Sequence, residues 1–375
     1  MSPQILAIPL LQAGAVAFLL TVLTIALLVP WAGRLRLLDY PGGRKGHHRP
    51  VPLVGGVAIF VGVSVASHAF APPIQPIWPM TLAGGWMLLV GLADDRHDIK
   101  PITRLLNQLA LAVLLVGVTG FRLDTLGDPL GMGEIRLGWM GAPLAILAAV
   151  ALTNAFNMLD GLDGIAAGVA VTTFVAIMAL AVEDQRWIIA VSSAAMVGAL
   201  VGFLLFNLPF AVPRKHLVFM GDAGSTMIGM LAAIGLLCLL IQGEIGGGWS
   251  DPAGVDAHIM PVELLWLVAI PAFEIVTSTA RRLRQGLSPF RADNGHYHHR
   301  LRQANWRVRV IFVFYVAFSV ATMLVGLSLH RLQVAEHLVL LGFLAAYGLF
   351  HGIIATAARH PFPAYVPAAE DAPQG

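Results

Sequence analysis

Residues 154–168 read NAFNMLDGLDGIAAG. Two carboxylates (Asp160, Asp163) and two carboxamides (Asn154, Asn157) crowd into this short stretch, between two apolar segments. Polar groups at a membrane edge are costly without partners, so the cluster reads as a functional site. Asn154, Asn157 and Asp160 recur every three residues and would share one face at a helix end. Gly161 and Gly164 then loosen the chain and let a ligand approach the backbone. The ordinary alternative is helix capping, for which Asp163 is well placed.

Four other polar clusters punctuate the chain: PGGRKGHHRPVPLVGG (41–56), ADDRHD (93–98), FMGDAGS (219–225) and SPFRADNGHYHHR (288–300). Asp94 and Asp98 would be like charges one helical turn apart, which repel. Asp94 and Asp95 at a membrane edge therefore call for a cation. Hard oxygen donors without sulfur suit Mg²⁺, with Mn²⁺ as the alternative. An acidic patch paired with Arg96 or Lys100 would be the bland explanation. In FMGDAGS, glycines flank Asp222 at the start of an apolar run. Backbone N–H groups at a helix N-terminus form an anion site, with Asp222 beside it as a metal ligand and Phe219 placed to stack on a base. His296, His298 and His299 stand among arginines, but HxHH is not a usual zinc spacing. They fit a cationic loop for phosphate or sugar, as do Arg44, Lys45 and His47. The combined chemistry is phosphoryl transfer at a membrane surface, which is mostly positioning and charge stabilisation.

The elements that must hold these residues are apolar helices. Charged residues make up 12% of the 375-residue chain and hydrophobic ones 57%, against a usual charged share of about 25%. The mean hydropathy is +0.78. This composition predicts an all-α integral membrane protein. Eleven apolar spans are expected, near 6–30, 52–70, 79–93, 105–120, 140–156, 164–182, 187–206, 224–242, 261–280, 309–329 and 334–357. They form a single transmembrane domain over 1–359, followed by a disordered tail at 360–375. The first basic residue is Arg34, so the first stretch reads as a membrane anchor rather than a cleaved signal. Nineteen of the 23 lysines and arginines fall after odd-numbered spans. The positive-inside rule then puts the N-terminus outside, the C-terminus in the cytoplasm and all five clusters on the cytoplasmic face. The single cysteine, Cys238, excludes an internal disulfide or a cysteine metal cage. No nucleic-acid module is apparent, and oligomeric state is left open. A secondary transporter is the rival class, but it predicts acids near the midplane and inverted repeats.

In this order the clusters resemble the polyprenyl-phosphate N-acetylhexosamine-1-phosphate transferases of the glycosyltransferase 4 superfamily. NxxNxxDGxDG with GDAGS carries the resemblance, and RRLxxGxSPFxxDxxHxHH (Arg281 to His299) points to the WecA/TagO branch rather than the more distant MraY. The resemblance implies an eleven-helix protein of the bacterial inner membrane, Mg²⁺ dependence and a cytoplasmic active site. It implies transfer of an N-acetylhexosamine-1-phosphate, most often GlcNAc-1-phosphate, from a UDP-sugar to undecaprenyl phosphate, with release of UMP. By motif it implies Asp222 and Asn157 as metal ligands and Asp94 and Asp95 beside the lipid phosphate. Asp160, Asp163 and Phe219 match residues near uridine, and the three histidines match a motif near sugar and pyrophosphate. Two departures concern the sugar end: Glu274 stands where relatives often have Asp, and Asn294 where they often have Arg or Lys. Related enzymes use other N-acetylated hexosamines.

Overall fold

A computed structural model describes residues 3–41, 49–72, 77–208, 216–240, 259–288 and 295–359. Arg44, Lys45, His47, Asn294 and the tail at 360–375 lie outside the described residues. The described residues form thirteen α-helices: α1 (Pro3–Leu28), α2 (Gly55–Phe70), α3 (Trp78–His97), α4 (Pro101–Thr119), α5 (Gly141–Leu159), α6 (Ile165–Glu183), α7 (Trp187–Asn207), α8 (Gly221–Leu240), α9 (Pro261–Leu267), α10 (Ala269–Arg284), α11 (Tyr297–Gln303), α12 (Val308–Arg331) and α13 (Glu336–Arg359). Every apolar stretch read from the sequence falls on one of these helices or, for the ninth, on a pair. Eight are long and apolar enough to cross a membrane. Of the others, α2 is a shorter apolar helix and α3 carries Asp94, Asp95 and Arg96 in its last turn.

The ninth stretch is not one straight helix. α9 and α10 meet at Val268 with a bend of 94°. Pro271 in the first turn of α10 has no N–H to give Leu267 four residues earlier, so the helix cannot run through. The freed carbonyl of Leu267 accepts a hydrogen bond from Thr173 Oγ1 at 3.0 Å instead. The fold also contains a little β-structure. β1 (Leu38–Asp39) pairs antiparallel with β2 (Val51–Pro52), Leu38 opposite Pro52.

α8 is the axis of the bundle and is buried along almost its whole length. α2, α3, α5 and α6 pack around it, and α1 and α7 extend the layer beyond α2. Small residues bring these helices close, as they do in membrane proteins where burial from water is not the driving force. A Cβ on Gly91 of α3 would lie 2.2 Å from the Ala223 Cα of α8, and one on Gly56 of α2 would lie 2.6 Å from the Gly224 nitrogen. The rim carries exposed apolar rows, including Leu11, Leu19, Leu23 and Leu27 on α1 and Leu341, Leu344 and Leu349 on α13. Apolar surface of that extent suits lipid rather than water.

Candidate active site

The close crossings converge where α3 ends and α8 begins. Asp94 and Asp95 lie just past the apolar part of α3. Asp95 turns to the N-terminus of α8, where its Oδ1 accepts from Asp222 N at 2.9 Å and its Oδ2 from Ala223 N at 3.4 Å. The four N-terminal N–H groups of a helix need partners, and a carboxylate there is favoured by the helix dipole. The helix N-terminus expected from sequence to hold a substrate anion is therefore already capped by a carboxyl group of the protein's own. Gly221 makes this possible: its φ is +71°, and a Cβ there would strike Asp95 Oδ2.

Asp94 is almost fully buried and accepts from Ile99 N at 2.8 Å, so the turn between α3 and α4 folds back on it. Its second oxygen receives Arg104 Nη1 at 2.7 Å, and the same nitrogen reaches Asp222 Oδ2 at 3.2 Å. Arg104, in the first turn of α4, was not singled out from sequence. Asn157 donates its amide to Asp222 Oδ1 at 2.6 Å and to Ser225 Oγ at 3.0 Å. One turn earlier, Asn154 donates to Gln108 Oε1 of α4 at 2.6 Å and to its own helix at Val150 O. In this arrangement Asn157 orients Asp222, and Asn154 ties α5 to α4.

Asp160 ends α5 close to the same carboxylates. Burial, then the charges of Asp222, Asp95 and Asp163, pushes its carboxyl well above the usual range. Burial raises Asp95 to about 7, helped by the Asp222 charge. Burial first, then the hydrogen bond and charge of Asp222, raises Asp94 to about 6 against the lowering effect of Arg104. Desolvation and like charge both disfavour the ionised forms. Among the described residues the Arg104 guanidinium is the cation that pairs with this cluster, and the oxygen donors suit a hard divalent cation. Among the described residues, no three His, Cys, Asp or Glu side chains already stand in a metal-holding array.

The histidine segment joins the site from the other side. A Cβ on Gly161 would lie 2.2 Å from His298 Nε2, so the ring rests against the DGLDG turn. His298 is fully buried, and neither ring nitrogen has a hydrogen-bond partner among the described residues. Burial, then His299 and His296, holds it well below the usual imidazole range, so the ring is neutral. The rings of His298 and His299 stand 4.2 Å apart, centre to centre. Glu274, buried in α10, accepts from Tyr297 N at 3.0 Å and pairs with His296 Nδ1 at 2.9 Å. The residue read from sequence as a departure at the sugar end is thus a clamp on the histidine segment.

Phe219 N donates to Pro52 O at 2.9 Å, while Gly55 N and Gly56 N donate to Phe219 O and Met220 O. FMGDAGS therefore packs against the end of the first cluster, and β1 and β2 bring both flanks of residues 42–48 to this end of the bundle. The structure brings together Asp94, Asp95, Asn157, Asp160, Asp222 and His298. Asp163 is close enough for its charge to act on Asp160.

A helical bundle with eight helices long and apolar enough to cross a membrane, and with Asp94, Asp95, Asp160 and Asp222 gathered at one end, defines an integral membrane protein with a polar site at that end. Relatives of known name narrow this further. The glycosyl transferase family 4 profile matches residues 77–241. The undecaprenyl-phosphate alpha-N-acetylglucosaminyl 1-phosphate transferase of Yersinia pestis is 34% identical over 319 residues, covering 84% of each chain. The enzyme of the same name from Salmonella typhi is 34% identical over 334 residues, covering 89% of this chain and 88% of its own. That of Haemophilus influenzae is 34% identical over 336 residues, covering 89% and 91%. The chain belongs to glycosyl transferase family 4.

Proposed function

We propose that this protein transfers GlcNAc-1-phosphate from UDP-GlcNAc to undecaprenyl phosphate, giving undecaprenyl-pyrophosphoryl-GlcNAc and UMP. The observation that carries the proposal is the meeting of Asp94, Asp95, Asp160, Asp222 and the histidine segment at one end of the bundle. The names of relatives matched over more than four fifths of the chain support the same reaction. The setting is a bacterial inner membrane crossed eleven times, by α1 to α8, the bent α9–α10 pair, α12 and α13. The asymmetry of lysine and arginine supports a cytoplasmic active site and an outside N-terminus.

The reaction is a direct displacement. A phosphate oxygen of the lipid attacks the β-phosphorus of UDP-GlcNAc, the bond to the bridging oxygen breaks, and UMP leaves. A phosphomonoester with a second pKa of ~6 is already largely ionised near neutrality, so no strong base is needed. Asp94 or Asp95 places the lipid phosphate or completes its deprotonation. Asp160, Asp163 and Phe219 line the nucleotide side, and His296, His298 and His299 the sugar and pyrophosphate side. Mg²⁺ bound at Asp222 would neutralise the pyrophosphate, with Asn157 holding that carboxylate in place. Arg44, Lys45 and His47 add positive charge from the segment between β1 and β2. A second N-acetylated hexosamine as donor is tested by a panel of UDP-sugars. Asp222→Asn should abolish turnover in purified protein, and near-normal activity would remove Asp222 from the metal role.

A further inference from the structure

We infer that Arg104 is the resting counter-ion of the carboxylate cluster and competes with the divalent cation for Asp94 and Asp222. The inference rests on the proposed metal role of Asp222. One guanidinium nitrogen bridges carboxylates from two helices, at 2.7 Å from Asp94 Oδ2 and 3.2 Å from Asp222 Oδ2. The remaining oxygens of both are engaged as well: Ile99 N holds Asp94 Oδ1, and Asn157 holds Asp222 Oδ1. A cation that ligates Asp222 Oδ2 must therefore take the place of Arg104. Two positive centres within about 4 Å of each other repel strongly away from bulk water.

Helix electrostatics do not explain the arginine. Arg104 lies in the first turn of α4, the end where a positive charge is disfavoured by the dipole. The carboxylates hold it there. The side chain is 29% exposed, so it has an open path away from them. The exchange is also favourable in charge: the guanidinium spreads one positive charge over two carboxylates, and a divalent ion brings two. The substrate-free site is thereby kept folded without metal and binds metal weakly.

The test is Mn²⁺ binding to the purified, substrate-free protein in lipid nanodiscs, read from loss of the free-ion electron paramagnetic resonance signal. R104Q should bind Mn²⁺ about tenfold more tightly than the unaltered protein, since the competing charge is gone. R104K keeps the charge and should stay within about threefold of the unaltered protein. D222N should bind little Mn²⁺. Equal or weaker binding by R104Q, with D222N still abolishing binding, would overturn the inference and make Arg104 a scaffold for the carboxylates. A gain in R104K equal to that in R104Q would also overturn it. If D222N binds Mn²⁺ as the unaltered protein does, the metal role of Asp222 fails and the inference falls with it.

Discussion

Gly91→Ala should cripple the site without touching a functional group. The new Cβ would lie 2.2 Å from Ala223 Cα and 2.5 Å from Ala223 N, both backbone atoms that cannot swing aside. Ordinary contact begins near 3.4 Å, so α3 and α8 must part by about 1.2 Å. The hydrogen bond from Asp222 N to Asp95 Oδ1, now 2.9 Å, would stretch to about 4 Å and cease to be one. Overpacking costs about 1–3 kcal/mol, and loss of a carboxylate cap costs about 1 kcal/mol more. Displacing positioned groups by about 1 Å can cost roughly 100-fold in rate. The assay is kcat for lipid-linked product in nanodiscs, beside thermal unfolding of the same samples. Gly117→Ala is the control, because among the described residues nothing outside its own stretch of α4 lies within 4 Å of a Cβ there. It should keep kcat within about twofold and gain slightly in helix propensity. Unchanged kcat and stability in Gly91→Ala would refute the idea that this crossing sets the geometry of the site.

Three further outcomes follow from the same contacts. Glu274→Ala should lower stability by about 2–4 kcal/mol, because it strips the acceptor from Tyr297 N and His296 Nδ1 in a buried place. Glu274→Gln keeps an acceptor and should lose less than half as much; equal losses in thermal unfolding would count against the clamp. Gly161→Ala pushes a Cβ to 2.2 Å from the enclosed His298 ring and should cut kcat/KM for the UDP-sugar at least about tenfold. Normal kinetics would separate the histidines from the nucleotide side. In metal-free buffer, the raised carboxyls of Asp95 and Asp94 favour the folded protein when protonated. Their stabilisation is complete below 3.8 and is lost as pH rises through about 6 and 7. The melting temperature in chelator should therefore fall between pH 4 and 7, and a rise over that window would contradict the clustering.

The sequence exposed those features that are local in the chain. Hydropathy marked every long helix, and runs such as ADDRHD and NAFNMLDGLDG marked the residues that meet at the site. What stayed hidden depends on pairing across the chain. Arg104 opens an apolar helix and counted only as a topology charge, because nothing nearby in sequence announces that Asp222 is its partner. Asp95 looked free to serve a substrate, yet it fills the anion position that GDAGS seemed to offer one. Glu274 had a legible signal, an ionisable residue inside an apolar stretch, which reads as functional by default. Its attachment to His296 could not be read, because 22 residues separate them. The bend at Val268 was foreshadowed by Pro271, whose missing N–H breaks the ninth helix.

The proposed reaction moves a phosphosugar rather than a sugar alone. Purified protein should be given undecaprenyl phosphate, Mg²⁺ and UDP-GlcNAc labelled separately in the sugar, the β-phosphorus and the α-phosphorus. Sugar and β-phosphorus labels should enter the lipid product in equal amounts, with the α-phosphorus label released as UMP. Sugar label entering lipid without β-phosphorus, or no lipid-linked product at all, would contradict it.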